Sequence, residues 1–216
     1  MHCRWERMGR IKVHPQGEYA TVDNKLIAQT IHLLATTTGD QSDALIAQIE
    51  SHSGDYAPPV LFMLSVVLYQ HRFLDDATFW YNAARLRASF DAARCADVTA
   101  RGAVMKLMSQ VPVPFQRAQF DDTKKLHDIA QRAVKWDETT PYHYDYRWIN
   151  LSGMNAVASG MGNTDVLNRP MTLPQEQWVA LATRVRLEYL ASMEIAIQMH
   201  NKQKESAQGA AKPLVS

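Results

Sequence analysis

The densest group of side chains that could do chemistry lies in one short segment, residues 142–148. In chain order the segment is Tyr142, His143, Tyr144, Asp145, Tyr146, Arg147 and Trp148. An imidazole oriented by a carboxylate can act as a general base, so His143 with Asp145 and Arg147 is one candidate catalytic group. Tyrosine, tryptophan and arginine also supply large, rigid contact area, which is typical of protein-binding surfaces. Three interpretations stay open: a partner-binding surface, an enzyme site near His143, and aromatic residues packed on the core.

A second set of candidate contacts lies on a predicted helix that begins at Asp75. Three arginines, Arg85, Arg87 and Arg94, follow along it. Arginine is enriched where proteins bind one another, because its planar head forms several directed hydrogen bonds. We therefore predict that these arginines and the 142–148 segment contact a partner protein.

Most patterns of known catalytic or metal chemistry are missing from the sequence. It contains no H-E-x-x-H, no G-x-S-x-G and no phosphate loop, and the Gly160-Met161-Gly162 sequence follows a predicted helix rather than a strand. No two histidines stand three or four residues apart, so no helix face offers two imidazoles to one metal. We expect no metal and no cofactor, and a protein that is not an enzyme.

Composition narrows the possible partners and location. Of the 216 residues, 23 are Lys or Arg and 22 are Asp or Glu, which gives a net charge of +1 and no bulk positive charge for nucleic acid. The longest apolar run, residues 60–69, is about half the length that spans a bilayer. Cys3 and Cys95 are too few and too far apart for a disulfide framework or a C-x-x-C metal site. We expect a cytoplasmic protein that binds neither nucleic acid nor membrane.

Hydrophobic periodicity predicts helices from residue 23 onward. Apolar residues recur at spacings of three and four, whereas no segment alternates with a period of two. We predict an all-α protein: an irregular segment at 1–20, a single compact domain of about seven helices at 21–203, and a disordered tail at 204–216. The helices would form a helical-hairpin array or an orthogonal bundle.

The last predicted helix carries one long apolar stripe. Its members are Trp178, Leu181, Val185, Tyr189, Met193, Ala196 and Met199. Spacings of three and four place them on one side of a helix. A structural or oligomeric helical adaptor is therefore a further hypothesis, with the Trp178–Met199 helix packed on a second copy of the chain.

Residues 58–95 resemble one helical hairpin of the tetratricopeptide-like repeats of the Sel-one type. The second helix of that repeat has an alanine, then Trp-Tyr three and four residues later, then alanine at seven, which Ala77, Trp80, Tyr81 and Ala84 match. Small alanines let helices approach closely, and the tryptophan fills the groove between them. The glycines of the family pattern and a second copy of the repeat are absent. The resemblance implies a protein-binding helical hairpin without catalysis. The segment is also similar to small bacterial proteins of unassigned role with degenerate repeats of this kind, and some compact helical proteins of that sort act as immunity partners for secreted toxins.

The function predicted from the sequence is therefore binding of another protein. The leading hypothesis is a bacterial immunity protein that neutralises a cognate toxin or effector by occluding it. The alternatives are an all-α enzyme with a site near His143 and the helical adaptor described above.

Overall fold

The chain is predominantly helical in the part that the structure describes. A computed structural model describes residues 13–210, and within that range it contains ten α-helices, five short 3-10 helices and no β-strand. The predicted all-α class is confirmed. The α-helices are α1 Lys25–Thr36, α2 Asp40–Ser51, α3 Pro58–Gln70, α4 Leu74–Arg94, α5 Gly102–Gln110, α6 Val113–Ala118, α7 Thr123–Thr139, α8 Met154–Gly160, α9 Thr164–Leu167 and α10 Trp178–Ala210. The 3-10 helices are Gly17–Thr21, Ser53–Asp55, Val98–Arg101, Tyr146–Ser152 and Gln175–Gln177.

The α3–α4 hairpin forms the centre of the fold. α3 begins with Pro58 and Pro59, whose missing amide hydrogens cost little in a first helical turn, and nine of its 13 residues are buried. Arg72 adopts a positive φ of 69° in the tight turn between the two helices. α4 then runs for 21 residues, of which 14 are buried, and it packs against α3, α7 and α10.

Two core clusters meet along α4. The first joins α1, α2 and α3 to one side of α4, with residues such as Leu64 and Ala77 fully buried. The second joins Leu86 and Phe90 of α4 to α7 and α10. Both clusters use α4, and a third, smaller cluster around Tyr19 and Ala156 is joined to α4 through the 3-10 helix Tyr146–Ser152, so the described residues form a single domain.

The apolar stripe of α10 is buried within the chain itself. Leu181, Val185, Tyr189 and Met193 are at most 9% exposed and pack on α4 and α7. Met199, at the end of the predicted stripe, is exposed. The prediction that this stripe packs on a second copy is therefore wrong for most of its members, because the same side chains complete the intramolecular core.

The helix count and the predicted irregular ends also need correction. The described residues contain ten α-helices rather than about seven, and α6, α8 and α9 are short helices of 6, 7 and 4 residues. α10 continues to Ala210, past the predicted start of the tail at 204, because lysine, glutamate and alanine favour helix there. Gly17–Thr21 forms a 3-10 helix in which Tyr19 is buried, although 1–20 was expected to be irregular. Cys3 and the ends 1–12 and 211–216 lie outside the described residues.

Candidate functional site

The 142–148 segment is held against α4 by two buried arginines. Arg87 has no exposed surface, and it donates from Nη2 to the carbonyl oxygen of Thr140 at 2.6 Å and from Nη1 to that of Pro141 at 3.3 Å. Its guanidinium carbon lies 4.1 Å from the ring centres of both Trp136 and Tyr142, so the cation is stacked between two aromatic faces. The start of the segment is therefore fixed by both backbone and ring contacts of Arg87.

Asp137 of α7 compensates the charge of Arg87. The Nε of Arg87 lies 3.3 Å from Asp137 Oδ1, and the Nε of Arg186 from α10 lies 2.8 Å from Asp137 Oδ2. The Tyr142 hydroxyl also donates to Asp137. Burial, and then the charge of Asp137, raise the pKa of Tyr142 far above its usual value, so its hydroxyl keeps its proton as a donor.

Arg94 fixes the far end of the segment in the same way. Its Nη2 lies 2.5 Å from Asp91 Oδ1, and Asp91 Oδ2 accepts hydrogen bonds from Trp148 Nε1 at 2.7 Å and the Tyr144 hydroxyl at 3.1 Å. The Arg94 guanidinium carbon stands 4.1 Å from the Tyr146 ring centre. Burial raises the pKa of Asp91, while Arg94 and the hydrogen bond from Trp148 oppose the rise. We call Arg87, Asp91, Arg94 and Asp137 the arginine network.

These contacts correct the predicted partner surface. Arg87 is fully buried, Arg94 is 3% exposed and Trp148 is 6% exposed, so none of the three can contact a partner on the folded protein. Arg87 and Trp148 are buried with their polar atoms bound inside the chain, which removes the cost of desolvating them. Arg94 is paired with Asp91 through Nη2, but its buried Nε has no hydrogen-bond partner among residues 13–210. The other predicted contact residues remain at the surface. His143 is exposed, and six residues are half-buried: Tyr142, Tyr144, Asp145, Tyr146, Arg147 and Arg85.

Of the predicted catalytic group, Asp145 and Arg147 pair with each other, but His143 is not oriented by either of them. Arg147 is bound to Asp145 through two hydrogen bonds, Nε to Oδ1 at 2.9 Å and Nη2 to Oδ2 at 2.8 Å. Burial alone would raise the pKa of Asp145, but the hydrogen bonds from Arg147 outweigh it and lower that pKa below its usual value. His143 instead places Nδ1 2.8 Å from Asp55 Oδ1, with both side chains more than half exposed. The imidazole therefore has a carboxylate partner that sequence reasoning missed, 88 residues away.

A cleft of about 340 Å³ lies beside His143, between α1, the start of α3 and the 142–148 segment. Its wall is apolar, from Leu26, Ile27, Ala57 and Val60, and its rim carries Asp23, Asp55, His143 and Asp145. Leu26 is 60% exposed, on a helix of which only Thr30 and Leu34 are buried. We call this concavity the His143 cleft.

Gly160, in the Gly160-Met161-Gly162 sequence, serves packing rather than a ligand. A Cβ at Gly160 would stand 2.3 Å from Val13 Cγ1 and 2.6 Å from the carbonyl oxygen of His14. Glycine therefore allows the segment before Gly17 to cross directly over the end of α8.

A sequence signal for the arginine network exists. Arg87, Asp91 and Arg94 are spaced i, i+4 and i+7, so they share one side of α4, and that side also carries Leu86 and Phe90 nearby. Arg85 lies on a different side. Charges of opposite sign on the apolar side of a central helix predict a buried ion pair rather than a surface patch.

The described range offers neither a cluster of metal ligands nor a membrane span. No three side chains of His, Cys, Asp or Glu converge within residues 13–210. No helix in that range has the length and apolar character needed to cross a bilayer. Comparison of the chain with protein-family models, with curated proteins and with solved structures found no match.

Proposed function

We propose that the protein is a non-catalytic binding protein that holds an apolar side chain of a partner protein in the His143 cleft. The observation that carries the proposal is the exposed leucine, Leu26, in the wall of a concavity with a polar rim. An apolar pocket surrounded by polar groups is the arrangement typical of an interface anchor site. Burial of the exposed 60% of Leu26 by a partner would contribute about 1–2 kcal/mol of hydrophobic free energy.

The charge of the rim indicates which partner segment fits. Asp145 is paired with Arg147 and Asp55 lies 2.8 Å from His143 Nδ1, whereas Asp23 has no basic side chain within ion-pair distance among residues 13–210. A partner side chain that is apolar and lies next to a lysine or arginine would match the wall and the rim together.

The arginine network supports a binding role because it prepares the cleft before the partner arrives. Tyr144 and Asp145 line the cleft, and the Tyr144 hydroxyl is bound to Asp91 in the interior. A surface that is already ordered loses little conformational entropy on binding, so more of the contact energy appears as affinity.

The resemblance of residues 58–95 to a tetratricopeptide-like hairpin favours the same class of function. Within that class we propose a cytoplasmic bacterial immunity protein that neutralises a cognate toxin or effector by occluding it. The His143 cleft would supply the anchor site, and the exposed part of the 142–148 segment would extend the contact.

The test uses the products of the genes next to the one encoding this chain. Each product is purified and its affinity measured by biolayer interferometry against the wild type, Leu26→Asp and a control, Val179→Asp, which changes a residue that is 79% exposed on α10. We expect one product to bind, with the Kd raised at least about tenfold by Leu26→Asp because a buried carboxylate replaces apolar contact. Val179→Asp should leave the Kd within about twofold.

Two results would contradict the proposal. If none of the neighbouring gene products bound to the protein, the proposed role in toxin neutralisation would be rejected. Equal binding by Leu26→Asp and the wild type, with unchanged melting temperatures, would exclude the His143 cleft as the anchor site.

A further inference from the structure

A second concave region lies between α4, α5 and α10 and shares no residue with the His143 cleft. Its volume is about 360 Å³, and its polar lining comes from Arg85, Ser89, Arg101, Arg184, Glu188 and Ser192. We call it the arginine groove. Sites for small ligands typically fall in the range of about 300–1,000 Å³.

Small residues keep the groove open. Where α4 and α10 face each other beside α5, α4 contributes Ser89, Ala92 and Ala93, and α10 contributes Ser192. Elsewhere along the same contact, larger side chains such as Phe90 of α4 and Met193 of α10 belong to the buried core. The concave shape therefore comes from the small residues of α4 and α10, while Arg101 is contributed by the 3-10 helix Val98–Arg101.

The groove carries positive charge that the described residues do not compensate. The Nε of Arg184 lies 3.7 Å from Glu188 Oε1, which forms one exposed ion pair. Arg85 and Arg101 have no carboxylate within ion-pair distance among residues 13–210, and the Arg85 guanidinium lies 5.5 Å from the Tyr189 ring centre. Two uncompensated charges thus stand in one concavity of a protein whose net charge is only +1.

The hydroxyl groups in the groove are already engaged. Ser89 donates to the carbonyl oxygen of Arg85 at 2.8 Å, and Ser192 donates to that of Glu188 at 2.7 Å. Their hydrogens are used within the helices, so the arginines are the donors left for a bound anion.

We propose that the arginine groove binds the phosphoryl group of a small phosphorylated ligand. Guanidinium groups bind phosphate through pairs of parallel hydrogen bonds, and the two charges of Arg85 and Arg101 match those of a phosphate dianion. A single carboxylate would compensate only one of them. The inference goes beyond the proposed function, since the groove and the His143 cleft are tested by different variants.

Inorganic pyrophosphate is the probe, titrated by isothermal calorimetry at physiological ionic strength. The proteins are the wild type, the double variant Arg85→Gln/Arg101→Gln and the control Arg117→Gln, an exposed arginine outside the groove. We expect the wild type and the control to bind with Kd values within about twofold of each other. The double variant should bind at least about tenfold more weakly, because two charge-assisted contacts are lost.

Three outcomes would overturn the inference. These are no pyrophosphate binding by the wild type, equal binding by the double variant, and equal or tighter binding of acetate, an anion with a single carboxylate. Circular dichroism checks that the double variant is folded. If it is not, the single variant Arg101→Gln, which changes an exposed side chain, takes its place with the same expected direction.

Discussion

At the scale of single residues, the main difference between the structure and the prediction from the sequence is that charged side chains of α4 are buried rather than exposed. Arg87 is enclosed by two aromatic rings, two carbonyl oxygens and Asp137. A buried arginine is tolerated when all its donors find partners, and removing one member of such a set is strongly destabilising.

Replacement of Arg87 tests this description. We expect Arg87→Ala to lower the free energy of unfolding by about 3–5 kcal/mol, because Asp137 keeps Arg186 but the two carbonyl oxygens lose their donor. Urea unfolding followed by tryptophan fluorescence gives the value. The exposed Arg117→Ala should change it by no more than about 0.5 kcal/mol. A loss below about 1 kcal/mol for Arg87→Ala would show that the network contributes little to stability.

The sequence predicted which residues of this region carry chemistry but not how they are used. Tyr142, Tyr144 and Trp148 were recognised as a cluster, yet Asp91 and Asp137, which organise them, were not. Arg87 and Asp137 are 50 residues apart, and a pairing of that kind depends on how α4 and α7 pack. The residue types around a position carry no information about such a distant partner. For the same reason, His143 was paired with Asp145 in the prediction, whereas its partner in the structure is Asp55.

At the scale of elements, α10 shows what periodicity can and cannot predict. The stripe from Trp178 to Met193 was read correctly as one helical face, and that face is buried. The surface against which this stripe packs was predicted wrongly, because the sequence of an apolar stripe is the same whether it packs on its own chain or on a second copy. Beyond Ile197 the helix continues with exposed residues from Asn201 to Ala207.

Two proline substitutions separate the packed and unpacked parts of α10. Thr183→Pro should lower the free energy of unfolding by about 3 kcal/mol or more, because it breaks a helix turn that holds Leu181 and Val185 in the core. Gln203→Pro should change it by less than about 0.5 kcal/mol, because its neighbours are exposed. Both values come from urea unfolding monitored by circular dichroism. A similar loss in both variants would mean that the end of α10 is packed.

At the scale of the whole molecule, the shared use of α4 by two core clusters predicts one cooperative unfolding transition. Cys95, at the end of α4, is 2% exposed, and burial raises the pKa of its thiol to about 11. Little thiolate exists near neutral pH while the chain is folded, so the thiol reports global opening.

Three probes should therefore change together in urea. In a Cys3→Ser variant, which leaves one cysteine, we expect helicity, tryptophan fluorescence and the reactivity of Cys95 toward a thiol reagent to share one midpoint. If Cys95 of the native protein reacted with the thiol reagent as fast as Cys95 of the unfolded chain, its burial would be contradicted. Separate midpoints for fluorescence and helicity would show that the two clusters unfold independently.

The arginine network also bears on how the chain reaches its fold. The α3–α4 hairpin has local contacts and can form early, but on its own it holds Arg87, Asp91 and Arg94 without the partners that α7, α10 and the 142–148 segment supply. A compact intermediate in which this side of α4 was buried before α7, α10 and the 142–148 segment had docked would contain unpaired buried charge. Such an intermediate would be high in free energy. The network thereby widens the energy gap between the native arrangement and its compact competitors, and guides α7 and α10 to dock on α4 in one arrangement.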